Sequence, residues 1–128
     1  MPLVNIYLQD IWNDIQIKSI SDDIHESLVD AFKIPHNDYN HRIIKLSKED
    51  FIHSDRKSDR CIFIDMYIFP GRSKEAKKKL YEEIYKKLES YGIQKSDLII
   101  VLNEPPLINW GMNGKPGDES DIGFNLNV

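Results

Sequence analysis

The run Cys61-Ile62-Phe63-Ile64-Asp65-Met66-Tyr67-Ile68-Phe69, followed at once by Pro70-Gly71-Arg72-Ser73, decides how the rest of the chain is read. Ile62, Ile64, Met66 and Ile68 alternate with Phe63, Asp65, Tyr67 and Phe69, the period of a strand with two different faces. Pro70-Gly71 punctuates it. Ser73 then caps a helix running to about Tyr91, in which Leu80, Ile84 and Leu88 form an i, i+4 stripe flanked by Tyr81 and Tyr85. Gly92 stops the helix, and Leu98-Ile99-Ile100-Val101-Leu102 reads as a returning strand. This half of the chain is a β-α-β unit.

The same order precedes it. Residues 2–8 form a short β-rich run. Asn13, with Gln16 three residues on and Asp14 in the first turn, has the signature of a capping box. Ile17, Ile20, Ile24, Leu28 and Ala31/Phe32 then recur at helical spacing, and Ile34-Pro35 ends the helix because the residue before proline avoids the α region. Arg42-Ile43-Ile44-Lys45-Leu46 reads as a strand, and Ser47 to Arg60 as a polar connection. The chain thus divides into two copies of one unit, residues 2–58 and 59–128, within a single domain of 128 residues. The second copy is extended by a Gly/Pro/Asn-rich tail and a last short strand near Ile122–Leu126. Right-handed parallel crossovers predict an α/β fold, one four-stranded sheet with both helices on one face. The other face stays apolar and uncovered in a monomer, so oligomerisation is expected.

Composition narrows the function classes. A formal net charge of -4 argues against a nucleic-acid partner, which calls for a basic face. No apolar stretch approaches a membrane span. Acidic residues such as Asp10 and Asp14 interrupt the start before any signal-peptide core forms, and Cys61, the single cysteine, allows no intrachain disulfide. The expectation is a soluble, cytoplasmic protein, with Cys61 a packed and inert thiol. His25, His36, His41 and His53 lack zinc-type spacing, and surface or satisfied histidines are the default. Lys74, Lys77, Lys78 and Lys79 read as a solvated helix face. The loop Gly111 to Gly117 matches no phosphate-binding fingerprint, so no cofactor or metal is expected.

Four positions carry chemistry. Met1 is commonly trimmed before a small residue, which would leave Pro2 as a ring-bound secondary amine opening the first strand; equally, Met-Pro is an ordinary start. Proline suits a strand's first position because the ladder asks no N–H of it. Asp38 lies in the turn after Ile34-Pro35, either as a capping acceptor or as a carboxylate that orients water or binds a carbonyl. Arg72, one residue before a helix cap, is either a solvated loop arginine or a fork for an anion. Trp110, in Asn109-Trp110-Gly111, is either a packing anchor or the apolar wall of a pocket.

Taken in order, Pro2-Leu3, Val29-Asp30-Ala31-Phe32 with Pro35 and Asp38, Gly71-Arg72-Ser73-Lys74-Glu75 and Asn109-Trp110-Gly111 resemble the tautomerase superfamily, in its malonate semialdehyde decarboxylase-like branch. The resemblance covers essentially the whole chain. It implies a homotrimer of tandem β-α-β chains and a small carboxylate-bearing substrate. It also implies Pro2 as general base or acid, Asp38 as the polar carboxylate, Arg72 as carboxylate anchor and Trp110 as a pocket wall. Pro70 departs from that branch, which carries a second arginine at the corresponding place. The implied activity is keto–enol tautomerisation. The alternatives are decarboxylation or hydration of a small 3-oxo acid, or a non-catalytic trimeric binding protein of the same fold.

Overall fold

The computed structural model describes residues 1–128. Strands β1 (Leu3–Gln9), β2 (His41–Leu46), β3 (Ile62–Tyr67) and β4 (Leu98–Asn103) form one sheet in the order β2-β1-β3-β4. Within each β-α-β unit the pairing is parallel, β1 with β2 and β3 with β4. The two units meet along β1 and β3, which run antiparallel with Leu3 opposite Tyr67 and Ile6 opposite Ile64.

Helices α1 (Asp14–Phe32) and α2 (Lys74–Leu88) pack on one side of this sheet. The capping box is present: Gln16 donates its backbone N–H to Asn13 Oδ1 at 2.8 Å, and Asn13 returns one to Gln16 Oε1 at 3.0 Å. Such a cap contributes about 1 kcal/mol. Helix α1 stops at Phe32, slightly before Ile34-Pro35, because Lys33 turns left-handed at φ 56° and bonds back to Val29. Ser73 Oγ accepts from Ala76 to start α2, which tightens into a 3₁₀ turn over Glu89–Tyr91 before Gly92.

Strand alternation sorts the side chains. Val4, Ile6, Leu8, Ile62, Ile64 and Met66 point toward the helices and are at most 1% exposed. They meet Ile20, Ile24, Leu28, Leu80, Ile84 and Leu88, so period 2 and period 3.6 share one core. Cys61 is sealed in beside this core, and burial pushes its thiol up to about 11, consistent with an inert side chain. The opposite face of the sheet carries Leu3, Tyr7, Phe63, Tyr67, Ile99 and Val101. Tyr67, Ile99 and Val101 are each more than 40% exposed.

The expected strand near Ile122–Leu126 does not form. The alternation there is real, since Ile122, Phe124 and Leu126 are half-buried between exposed neighbours. Alternation selects a face, but a strand also needs an edge to pair with. This segment instead lies against the Pro70–Ser73 turn, where Ser73 N–H bonds to Val128 O at 2.9 Å. The tail's regular structure is a two-residue hairpin, β5 (Gly111–Met112) with β6 (Lys115–Pro116).

Candidate active site

The strand directions gather the four candidate positions. β1 and β2 start at the same end of the sheet at which β3 and β4 finish. Pro2 precedes β1, Asp38 precedes β2, Arg72 follows β3 and Trp110 follows β4. Residues 2, 38, 72 and 110 therefore belong to connections at one sheet end, one from each strand. No local sequence signal encodes that convergence; it follows from the antiparallel join between the two units.

On the β1–β2 side, Val4 N–H bonds to Asn40 O at 3.0 Å, which draws the turn ahead of β2 against the start of the chain. Asp38 closes that turn through its own N–H to Pro35 O, also 3.0 Å. Its carboxylate takes the Met1 ammonium through both oxygens, at 2.6 and 2.5 Å. Asn40 Nδ2 bonds to Asp38 Oδ1 at 3.0 Å and fixes the carboxylate's rotation. Pro2 itself is buried. Asp38 is thus engaged with the chain terminus, beyond any capping role.

On the β3–β4 side, Arg72 is 7% exposed, which excludes the solvated loop arginine. Gly71 at φ 124° makes the turn that carries it inward. Its guanidinium lies 5.1 Å from the Phe32 ring and 5.8 Å from the Phe124 ring, and Nη1 donates to Phe69 O at 2.9 Å. Nε is buried and has no partner. Burial lowers the guanidinium's pKa and the Glu104 charge opposes that shift, while Glu104 itself is held by Lys77 at 2.6 Å. A buried cation with an unspent donor and no carboxylate of its own is suited to an anion.

Trp110 is 7% exposed and meets Phe69 edge to face, with its indole N–H donated to Pro105 O at 3.1 Å. The Gly-rich stretch after it is ordered: Gly117 N–H bonds to Trp110 O at 2.7 Å. A Cβ at Gly117 would fall 2.6 Å from Leu107 O, so that close approach requires glycine. Phe69, which sequence patterning presents only as a strand residue, is the hub joining Arg72, Trp110 and Phe124.

A second departure lies under the Asp38 turn. His25 and His41 are not surface histidines, for each keeps one ring nitrogen buried without a partner. With Tyr39 they line the inner side of the turn. No group of three His, Cys, Asp or Glu side chains is arranged to hold a metal ion. A hollow of about 350 Å³ lined by Leu3, Tyr39, Asn40, His41 and Arg42 adjoins this end of the sheet. A larger hollow of about 920 Å³ lies between the helices, lined mostly by solvated lysines and carboxylates.

The fold of tandem β-α-β units is matched by known proteins. A family model described as tautomerase enzyme matches residues 38–113, more than half of the chain and inclusive of Asp38, Arg72 and Trp110. The chain belongs to that tautomerase family. It is 29% identical over 108 residues to a probable tautomerase of Bacillus subtilis (strain 168), YusQ, covering 80% of this chain and 85% of the relative. Among solved structures, a malonate semialdehyde decarboxylase is 29% identical with a TM-score of 0.77, covering 84% of this chain and 88% of its own. A fused 4-OT, described as an asymmetric trimer, superposes with a TM-score of 0.81 at 18% identity over 91% of this chain and 96% of its own, a likeness of fold.

Proposed function

We propose that this chain is a keto–enol tautomerase acting on a small 2-oxo or enol carboxylate, with Pro2 as the base once Met1 is removed. The observation that carries this reading is Arg72, 7% exposed with an unpartnered Nε, at the sheet end shared with Pro2, Asp38 and Trp110. Trimming one residue would leave a buried secondary amine in that neighbourhood. Neutral Pro2 removes a proton α to the carbonyl, Arg72 holds the substrate carboxylate through its spare donor, and Phe69 with Trp110 keeps water away. Returning the proton to another atom completes the isomerisation without loss of any group.

The amine's protonation state decides the chemistry. An unperturbed α-amino group titrates near 7.7–8.0. Burial and the Arg72 cation favour neutral Pro2, whereas the Asp38 carboxylate favours the ammonium. The two-oxygen grip of Asp38 on the terminal amine therefore favours a second reading. In it, cationic Pro2 assists decarboxylation or hydration of a small 3-oxo acid while Asp38 positions water. The likeness to malonate semialdehyde decarboxylase, whose structures were described as a basis for decarboxylase and hydratase activities, supports that alternative. Pro70, in place of that branch's second arginine, counts against it.

The proposed assembly is a cytoplasmic homotrimer whose interfaces cover the apolar sheet face of Tyr67, Ile99 and Val101. The deciding experiment is N-terminal mass spectrometry followed by a pH–rate profile on a panel of enols, 2-oxo acids and 3-oxo acids. Rate rising with pH marks Pro2 as a base, and rate falling marks it as an acid. Retained Met1 with no turnover would leave a binding protein of this fold.

A further inference from the structure

We propose that His25 and His41 are positioning residues for Asp38: His25 clamps the turn that carries it, and a proton taken up by His41 loosens that turn. The inference rests on the reading of Asp38 as part of the active site, but its structural half can be measured without turnover.

The clamp follows from hydrogen-bond chemistry. His25 is 1% exposed on α1, and its Nε2 lies 2.6 Å from the carbonyl of His36. A carbonyl only accepts, so Nε2 carries the hydrogen, while Nδ1 is buried without a partner. The same ring stacks on Tyr39 at 4.1 Å with the planes 22° apart. His25 thus grips the chain on both sides of Asp38, at His36 and at Tyr39.

The proton-sensitive half is a directional chain. Tyr39 has one hydroxyl hydrogen, which goes to Asp22 Oδ1 at 2.7 Å. Tyr39 must then accept from Ser21 Oγ at 2.8 Å, and Ser21 in turn accepts from His41 Nδ1 at 2.8 Å. The order His41 Nδ1–H to Ser21 to Tyr39 to Asp22 leaves His41 Nε2 bare and buried. A proton there would be a donor with no acceptor, which is costly when buried.

The charged surroundings do not rescue it. From α1 come Lys18, Asp22, Glu26 and the His25 ring, whose centroid is 5.9 Å from that of His41. Glu26 is taken by His36 at 2.6 Å, and Lys18 is paired with Asp22 at 2.6 Å. From the connection come His36 and Asp38, the latter engaged with Met1, and from β2 comes Arg42. Strand β1 offers Val4 opposite His41. Burial first, then the His25 ring, holds His41 down at about 4, with Asp22 acting the other way. Relief comes by moving His41 into solvent. Because His41 directly follows Asn40, whose carbonyl is tied to Val4, that movement carries the Asp38 turn with it.

The sign is fixed by linkage. A histidine depressed in the closed turn and ordinary in the open one favours opening as pH falls from about 6.5 to about 4, by about tenfold per unit. Hydrogen exchange of the full chain, corrected for intrinsic rates, should show this at the Asp38 and Val4 amides while β3 amides stay protected. His41→Asn keeps a donor at the Nδ1 place but cannot titrate, so the slope should vanish; His25→Gln keeps the Nε2 donor and should protect the turn better than His25→Ala. With phenylenolpyruvate as probe, the fall in kcat below about pH 6.5 should be less steep in His41→Asn, where only the protonation of Pro2 remains. Flat exchange at Asp38 in the native chain overturns the proposal, as does opening shared equally by β3 or an unchanged slope in His41→Asn. Full activity in Asp38→Asn would instead remove the reading of Asp38, leaving the exchange results to decide the latch.

Discussion

Phe69 and Trp110 meet edge to face with ring centroids 4.7 Å apart, and Phe69 also gives its carbonyl to Arg72. One residue thus couples the connection after β3 to the connection after β4. Trp110→Ala removes the indole from a site 7% exposed and should cost about 3 kcal/mol of stability. Trp110→Phe keeps the aromatic contact and loses only the hydrogen bond to Pro105, for about 1 kcal/mol. Urea unfolding of the two variants checks the order; equal losses would mean that the ring contact contributes little.

Replacing Arg72 tests the proposed anion contact apart from stability. Its buried guanidinium has an unpartnered Nε, so replacing it with an apolar side chain of similar length relieves a desolvation cost. Arg72→Met should therefore melt no lower than the native chain. The same substitution should raise KM for carboxylate-bearing substrates far more than for neutral ones, by a contact of about 1.5–3 kcal/mol. A collapse in melting temperature with KM unchanged would assign Arg72 to the fold instead.

Between the helices, Glu83 supplies a pH signature distant from the site. Burial raises its pKa, and the hydrogen bond and charge of Asp30 raise it further, with one Glu83 oxygen buried and unpaired. Above the unfolded value of about 4.3 the unfolded chain has released this proton while the folded chain still holds it. Folded stability then falls as pH rises through that window and stays reduced above the folded pKa; below the unfolded value there is no penalty. Glu83→Gln should stabilise the protein at pH 7, with the gain vanishing near pH 4. Calorimetry at the two pH values checks it, and a variant no more stable at pH 7 would refute it.

The exposed sheet face makes the assembly testable. Val101 is 49% exposed and Ile99 42%. A lysine at Val101 would have to be desolvated inside a trimer interface but sits easily on a monomer. Val101→Lys should shift the species seen by analytical ultracentrifugation from trimer to monomer at micromolar concentration, with the monomer still folded by circular dichroism. A native chain that is itself monomeric would remove the trimer.

Much of the fold is legible in the sequence because each element carries its own local signal. Asn13 and Gln16 cap α1, Ser73 caps α2, and the Ile62–Met66 alternation marks β3. The antiparallel join of β1 to β3 has no such signal, since either half alone pairs only in parallel. The tail misleads for the opposite reason: Ile122, Phe124 and Leu126 alternate as a strand would, but the segment pairs with no strand and lies against the Pro70–Ser73 turn. At the site, Pro2, Asp38, Arg72 and Trp110 stand out by residue type. Phe69, His25 and His41 do not, because a phenylalanine in a strand and a histidine in a helix look the same whether they pack passively or hold a neighbour in place.

Pro2 bears the sharpest test. Pro2→Ala keeps an N-terminal amine after Met1 is trimmed but removes the ring that fixes its direction and basicity. Because proline donates no ladder hydrogen bond, the substitution leaves the β1–β3 pairing from Leu3 onward intact. Activity toward phenylenolpyruvate should fall by about two to four orders of magnitude, the usual contribution of a positioned acid or base, while the melting temperature changes little. Adding residues ahead of Pro2 turns its nitrogen into an amide, which cannot titrate, and should abolish turnover altogether. Mass spectrometry of each variant's terminus must accompany the rates, since retained Met1 would mimic the extension. A fully active extended chain would exclude the amine as the base. If both variants lost stability and kept their rates, Pro2 would be no more than the first residue of β1.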